Sequence, residues 1–285
     1  MRLKCLVLLI TFLLLSISIP SSAIIVEWNR TYGNVLSGIA DVKVVDDGFI
    51  LAGFIGEVYD SDAWIIRTDA SGNEIWNATF GDREIDVASS IQRASDGFII
   101  AGLYGGAFGD AWLIKVDFNG SLEWSRYYGT KEHERFWWVE VVEDGFIVAG
   151  SRSFQGNEDA WLVKTDFDGE EVWNRTYGRE GDDSALCVRK VEDGHVIAGF
   201  TEFSGSKDGW LLKVDRSGKE VWNATFGGRL DDGIKDVQPI PDGFILAGYT
   251  ESFGSGKKDV WVIKVDERGR EVWNMTFGGE RDDEA

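Results

Sequence analysis

"VDFNGSLEW", residues 116–124, has a near-copy in "TDFDGEEVW", residues 165–173. "TDASGNEIW" (68–76), "VDRSGKEVW" (214–222) and "VDERGREVW" (265–273) complete the set. In each copy an Asp can accept hydrogen bonds from the N–H groups of its own turn, and the Gly three residues on supplies the strained φ. The turn ends one strand and starts the next, and the closing Trp is aimed into the gap between neighbouring sheets. A chain that spells one turn five times is a repeat protein, and the stretch reads as a staple used once per unit.

Working outward, the Trp series Trp28, Trp76, Trp124, Trp173, Trp222 and Trp273 is spaced by 48, 48, 49, 49 and 51 residues. A second marker follows an Asp-Gly turn, as in "DGFILAG" (47–53) and "DGHVIAG" (193–199), and a third is Asp-x-Trp, from Asp62/Trp64 to Asp259/Trp261. Each unit reads as four short strands rich in Val, Ile, Trp and Phe, with no helical period beyond the N-terminal segment. In the first unit they are A (39–45), B (48–53), a loop of about eight residues, C (63–69) and D (74–80). Strands B and C are almost continuously apolar, so both faces of each sheet need cover. Four-stranded antiparallel blades around an axis meet that demand: an all-β β-propeller, with repeats at about 38–81, 86–129, 135–178, 184–227 and 233–278. The D-type segment occurs a sixth time, in "VEWNRTYG" (26–33). Two closures follow: five blades with one redundant D strand, or a larger ring whose sixth blade is supplied elsewhere.

The 285 residues are 44% hydrophobic and carry a net charge of −20. Such a surface offers no basic stripe for nucleic acid and repels anionic lipid heads. "MRLK" followed by the apolar run 5–19 and small residues at 21–23 reads as a signal peptide over 1–23, with an uncleaved anchor as the alternative. Either way residues 24–285 are expected to be exported, extracellular or at the cell surface, with membrane contact only through that N-terminal segment. Cys187 is then the one cysteine left, so packing and not a disulfide must hold the fold.

"IKVDFNGSLEW" and its copies resemble the tryptophan-docking repeat of quinoprotein-like (PQQ-type) propellers. The longer order of Ala-Gly, loop, Asp-x-Trp, Lys-x-Asp, Gly, Trp, Gly is similar to the beta-propeller repeat of archaeal and bacterial surface proteins over nearly all of 26–278. This implies an exported binding or scaffold module whose partner is a protein, peptide or glycan at the cell surface. The quinoprotein likeness would imply an enzyme, but its adjacent-cysteine element is missing, and no catalytic residue is assigned.

Departures from the repeat are the better pointers to a site. Strand A should line the channel, placing Asp41, Lys43, Trp138, Glu140, Arg189 and Asp236 around the axis. The strongest break, "KEHERFWW" (131–138), adds His133, Arg135 and Trp137. This polar set with paired Trp is the candidate ligand site, and Glu140 with Asp236 is the carboxylate pair a glycan-cleaving rival would need. The B–C loops carry Tyr59, Tyr104, Phe108, Phe154, Phe203 and Phe253, either an aromatic platform or loop anchors. Acids of the D–A loops suit calcium, yet none has the spacing of a known calcium loop, and no cofactor or metal ligand is assigned. His195 stands where other units have a core Phe and is expected to be packing. Asn29, Asn77, Asn119, Asn174, Asn223 and Asn274 are glycosylation candidates in an exported chain.

Overall fold

The computed structural model describes residues 28–283, apart from positions 34, 83, 107, 108, 131, 155 and 204. The signal-peptide segment 1–23 and Phe108 lie outside the described residues, as does the side chain of Phe154. The described chain forms five four-stranded antiparallel sheets, each in the order A-B-C-D. The first is built from β1 (Leu36–Val45), β2 (Gly48–Glu57), β3 (Asp60–Asp69) and β4 (Glu74–Phe80). The others span 87–128, 134–177, 183–226 and 232–277. Their A strands are β5 (Val87–Arg93), β9 (Glu134–Val142), β13 (Asp183–Val191) and β17 (Asp232–Ile240), and successive A strands pack side by side around the axis. The architecture is the β-propeller that the repeat predicts.

The B–C connections differ from expectation. The sequence predicts a loop of about eight residues for the first, but β2 and β3 stay paired out to Glu57 and Asp60, leaving a turn at Val58 and Tyr59. Backbone pairing wins over the polar, Gly-containing sequence because the two partners are already in register.

Each repeated motif has an assigned role. In the C–D turn, Asp166 Oδ1 accepts from Asp168 N and Glu170 N at 2.9 Å, and Gly169 takes φ 78°. The Lys or Arg two residues before that Asp is buried in four blades, half-buried at Lys264, and pairs with the Asp of the A–B turn: Lys115 with Asp96 at 2.8 Å, Lys164 with Asp144 at 3.0 Å, Lys264 with Asp242 at 2.6 Å, and likewise Arg67 with Asp47 and Lys213 with Asp193. A buried cation is tolerated because a carboxylate meets its tip at the rim.

The D-strand Trp is the staple. It lies on the turn Gly of the next blade, so closely that a Cβ there would meet the ring: Trp76 over Gly120, Trp124 over Gly169, Trp173 over Gly218 and Trp222 over Gly269. The same Trp also meets the strand-B Phe of that next blade, as Trp76 does Phe98 and Trp222 does Phe244. His195 replaces that Phe in the fourth blade and is buried there. Burial lowers its pKa to about 4, so it stays neutral at pH 7.

Three of the sequon Asn residues have a structural task. The amides of Asn77, Asn174 and Asn274 accept from the indole Nε1 of Trp64, Trp161 and Trp261 at 3.3, 3.4 and 3.3 Å, and donate to Glu74, Glu171 and Glu271. In the second blade Ser125 stands at that position, opposite Ile114 as Asn77 is opposite Ile66, and the buried Trp112 Nε1 has no acceptor. Ser125→Asn is therefore expected to raise the thermal midpoint by about 2–4 °C, the worth of one buried hydrogen bond at this chain length. A lowered midpoint in differential scanning calorimetry would contradict that account.

Candidate functional site

All five A strands carry a β-bulge next to the axis, for instance between Ile39 and Asp41 and between Ile234 and Asp236. The extra residue re-aims the strand, so that Asp41, Ser90, Trp138, Cys187 and Asp236 each sit opposite a strand-B Ala. The sequence places these five in one ring, and the structure brings most of the candidate residues together there.

Asp41 pairs with Lys43 at 2.7 Å and accepts from Ser90 Oγ and Ile91 N at 3.2 and 3.0 Å. On the far side Arg189 reaches Asp236 at 2.8 Å and Glu140 at 3.6 Å, and donates to Val237 O at 3.1 Å. Trp138 lies between these groups in the network. Lys43 Nζ is 4.5 Å and Arg189 Cζ 4.1 Å from its ring centroid, so two cations are held on one π-system. The ring packs on the cores between blades 3 and 4 and between blades 4 and 5. Trp138 therefore fills the axis with the chain's own cations instead of offering a free stacking platform. Burial pushes the Glu140 carboxyl up while Arg189 pulls it down. The Glu140 and Asp236 carboxylates share Arg189, which makes them a charge-compensated triad and not a free acid and base. Burial, with Asp236 beside it, holds the Cys187 thiol well above its ordinary range.

His133, Arg135 and Trp137 form a second group. His133 Nδ1 is 3.7 Å from Glu158 Oε1, and its carbonyl accepts from Ser153 N at 2.8 Å. Arg135 Cζ lies 3.8 Å over the Trp137 ring, and burial lowers its pKa to about 10. This group belongs to the loop end of the third blade, so the nine candidate residues divide between two places.

The B–C aromatics divide too. Tyr104 folds inward, 5.2 Å from Trp112 and 4.6 Å from Tyr127, with its hydroxyl donating to Asp82 at 2.7 Å. Tyr59 and Phe203 stand out at 83% and 61% exposure, and Phe253 is also exposed. They share their end of the propeller with the D–A loops, since those connections leave the blades on the same side. Exposed acids of those loops include Asp82, Glu84, Glu180 and Asp282. Among the described residues no three His, Cys, Asp or Glu side chains converge as a metal would need.

Sequence reasoning missed one recurring feature. The Asp of each Asp-x-Trp faces an acid 24 residues later: Asp62/Asp86, Asp110/Glu134, Asp159/Asp183, Asp208/Asp232 and Asp259/Asp283. A Cβ on Gly129 would lie 2.7 Å from both Asp110 Oδ1 and Glu134 Oε2, and the other four pairs flank a Gly in the same way. Asp86, Glu134, Asp183, Asp232 and Asp259 are buried, and Glu134 Oε2 and Asp259 Oδ1 have no hydrogen-bond partner. The invariant spacing was the available signal, but the two acids belong to different motifs and were read separately.

No family model matches the sequence, and no curated protein matches it. Among solved structures it is similar to Sqt1 from Chaetomium thermophilum, at 16% identity and a TM-score of 0.46, over 83% of this chain and 59% of that one. A second Sqt1 structure, solved with the N-terminus of the ribosomal protein L10 bound, gives 15% and 0.45 over 83% and 61%. The chain thus spans less than two thirds of those proteins, and the likeness is one of fold. The expectation of an exported cell-surface module, with its secreted, signal-peptide and membrane-anchored setting, finds no support among these structures and is withdrawn as a correction.

Proposed function

We propose that the chain is a protein-binding propeller whose loop end takes a basic segment of a partner protein. The observation that carries this reading is the exposure of Tyr59, Phe203 and Phe253 at the same end as the D–A loop acids. Exposed aromatics on rigid hairpins are the usual anchors of protein interfaces, and a carboxylate rim selects a cationic partner and speeds its approach. The axis supports binding over catalysis, because its charges are spent on one another around Trp138.

The test is a fluorescence titration with two synthetic peptides of equal length and one aromatic anchor each, one rich in Lys and Arg, the other in Asp and Glu. The basic peptide is expected to bind at micromolar strength in low salt and to weaken about tenfold on joint Tyr59→Ala and Phe203→Ala substitution. Equal binding of both peptides, or an unaffected double variant, would sink the proposal.

A further inference from the structure

The β-bulge of each inner strand leaves one residue unpaired with strand B: Ala40, Ser89, Trp137, Leu186 and Lys235. Each comes one residue before its neighbour in the axial ring of Asp41, Ser90, Trp138, Cys187 and Asp236, and so stands on the side where the D–A loops enter. The axial ring contains two carboxylates. The bulge residues contain a hydroxyl, an indole and an ammonium, and no acid. In a chain with 49 acidic residues and a net charge of −20, that is a local reversal of character.

Arg135 deepens the reversal. Gly38, Val87, Ser184 and Gly233 hold its position in the other blades, so the cation is particular to blade 3. Its guanidinium is half-buried, lies 3.8 Å over the Trp137 ring, and has no ion pair among the described residues. By contrast Lys43, Lys115, Arg152, Lys164, Arg189 and Lys264 each meet a carboxylate within 3.5 Å. Glu158, whose charge is felt at Arg135, lies 3.7 Å from His133 Nδ1 instead. Three buried donor atoms on two adjacent inner strands also have no acceptor: Arg135 Nε, Trp137 Nε1 and Ser89 Oγ. A desolvated cation and orphaned donors both cost stability until an anion meets them.

We propose that the loop-end mouth of the axis is a carboxylate site formed by Arg135, Trp137 and Ser89. A guanidinium fork takes both oxygens of a planar carboxylate, and an indole N–H or a hydroxyl can add a further donor. One negative charge balances the one guanidinium that lacks a partner, whereas a phosphate would bring more charge into an acidic protein. The carboxylate comes either from the C-terminus of the partner segment, which rests on the loop end being the protein-binding end, or from a free small carboxylic acid.

Three probes are titrated into the full chain: the basic peptide with a free C-terminus, the same peptide amidated, and N-acetylglycine. If the partner supplies the group, calorimetry should show the free-acid peptide binding about tenfold tighter than the amide, with N-acetylglycine competing. If the source is a small acid, N-acetylglycine should bind alone at millimolar strength, seen by saturation-transfer NMR, while amidation changes nothing. In either case Arg135→Gln should abolish the preference for a carboxylate, and Arg135→Lys should restore part of it. Ser89→Asp is the second variant, because it keeps Arg135 and gives it a carboxylate of the chain's own. It should raise the thermal midpoint and exclude N-acetylglycine. Equal binding of acid and amide peptides, with no saturable binding of N-acetylglycine, would overturn the carboxylate site and leave the basic-segment reading standing. Bound N-acetylglycine with neither peptide bound would support the site and sink that reading. Silence from all three probes would overturn both.

Discussion

Lowering the pH from 8 to about 4 is expected to raise the thermal midpoint, and lowering it further to reverse the gain. At the blade junctions Asp110, Asp159 and Asp208 have their carboxyls raised, first by burial and then by the facing carboxylate, and Asp62, Asp86 and Asp183 are raised chiefly by burial. A folded-state pKa above the unfolded one favours the folded protein when the group is protonated. The stabilisation is complete below the unfolded pKa and is lost as the pH climbs through the raised one. The turn residues Asp69, Asp117, Asp215 and Asp266 have the opposite sign, because hydrogen bonds within the turn lower them. Their contribution holds above the unfolded value and disappears only in stronger acid. Relief of the net charge of −20 acts in the same direction as the buried pairs. Salt separates the two, since 0.5 M screens surface repulsion but not a buried pair. Asp110→Asn removes one charge and lets an amide donate to Glu134 Oε2, so it should add about 1 kcal/mol at pH 8 and flatten the profile. A pH-independent midpoint, or a variant equally destabilised at both pH values, would remove the buried pairs from the account.

The fold was legible because its markers are local. Asp, x, x, Gly, Trp specifies a turn and the strand after it, and Asp-Gly specifies a hairpin, so five copies give twenty strands without any long-range information. The Asp-capped turn and the Trp aimed at the next sheet stand as the sequence implied. The candidate site was legible only as a position. The bulge and strand A brought Asp41, Lys43, Trp138, Glu140, Arg189 and Asp236 to the axis, but whether Trp138 is a platform or a filler depends on two cations from other blades. Pairing across blades is what a linear pattern does not carry. The facing acids escaped for that reason, whereas the role of three sequon Asn residues escaped because their indole partners lie on the adjacent strand of the same blade, 13 residues away in the sequence.

Gly218→Ala is expected to cost about 2–5 kcal/mol, while Gly205→Ala costs about 1–2 kcal/mol. Both glycines have positive φ, 78° and 88°, so both substitutions carry the same left-handed penalty. They differ in what a methyl group would meet. Nothing lies within 4 Å of a Cβ on Gly205, whereas one on Gly218 would be 2.7 Å from the Trp173 ring and 3.0 Å from Arg175 Cγ. The Tyr177 hydroxyl also holds the Gly218 carbonyl, so the turn is gripped and has no free direction in which to yield. The extra cost is then the energy of unseating the staple, and it should vanish when the staple is absent. In the Trp173→Ala background, Gly218→Ala should fall to the cost of Gly205→Ala, a coupling of about 1–3 kcal/mol between two residues of adjacent blades. Denaturant titration of the four proteins in that cycle measures it directly. Equal costs for the two glycines in the native background would mean that Trp173 can move aside, and that the blades are joined by their aliphatic faces alone.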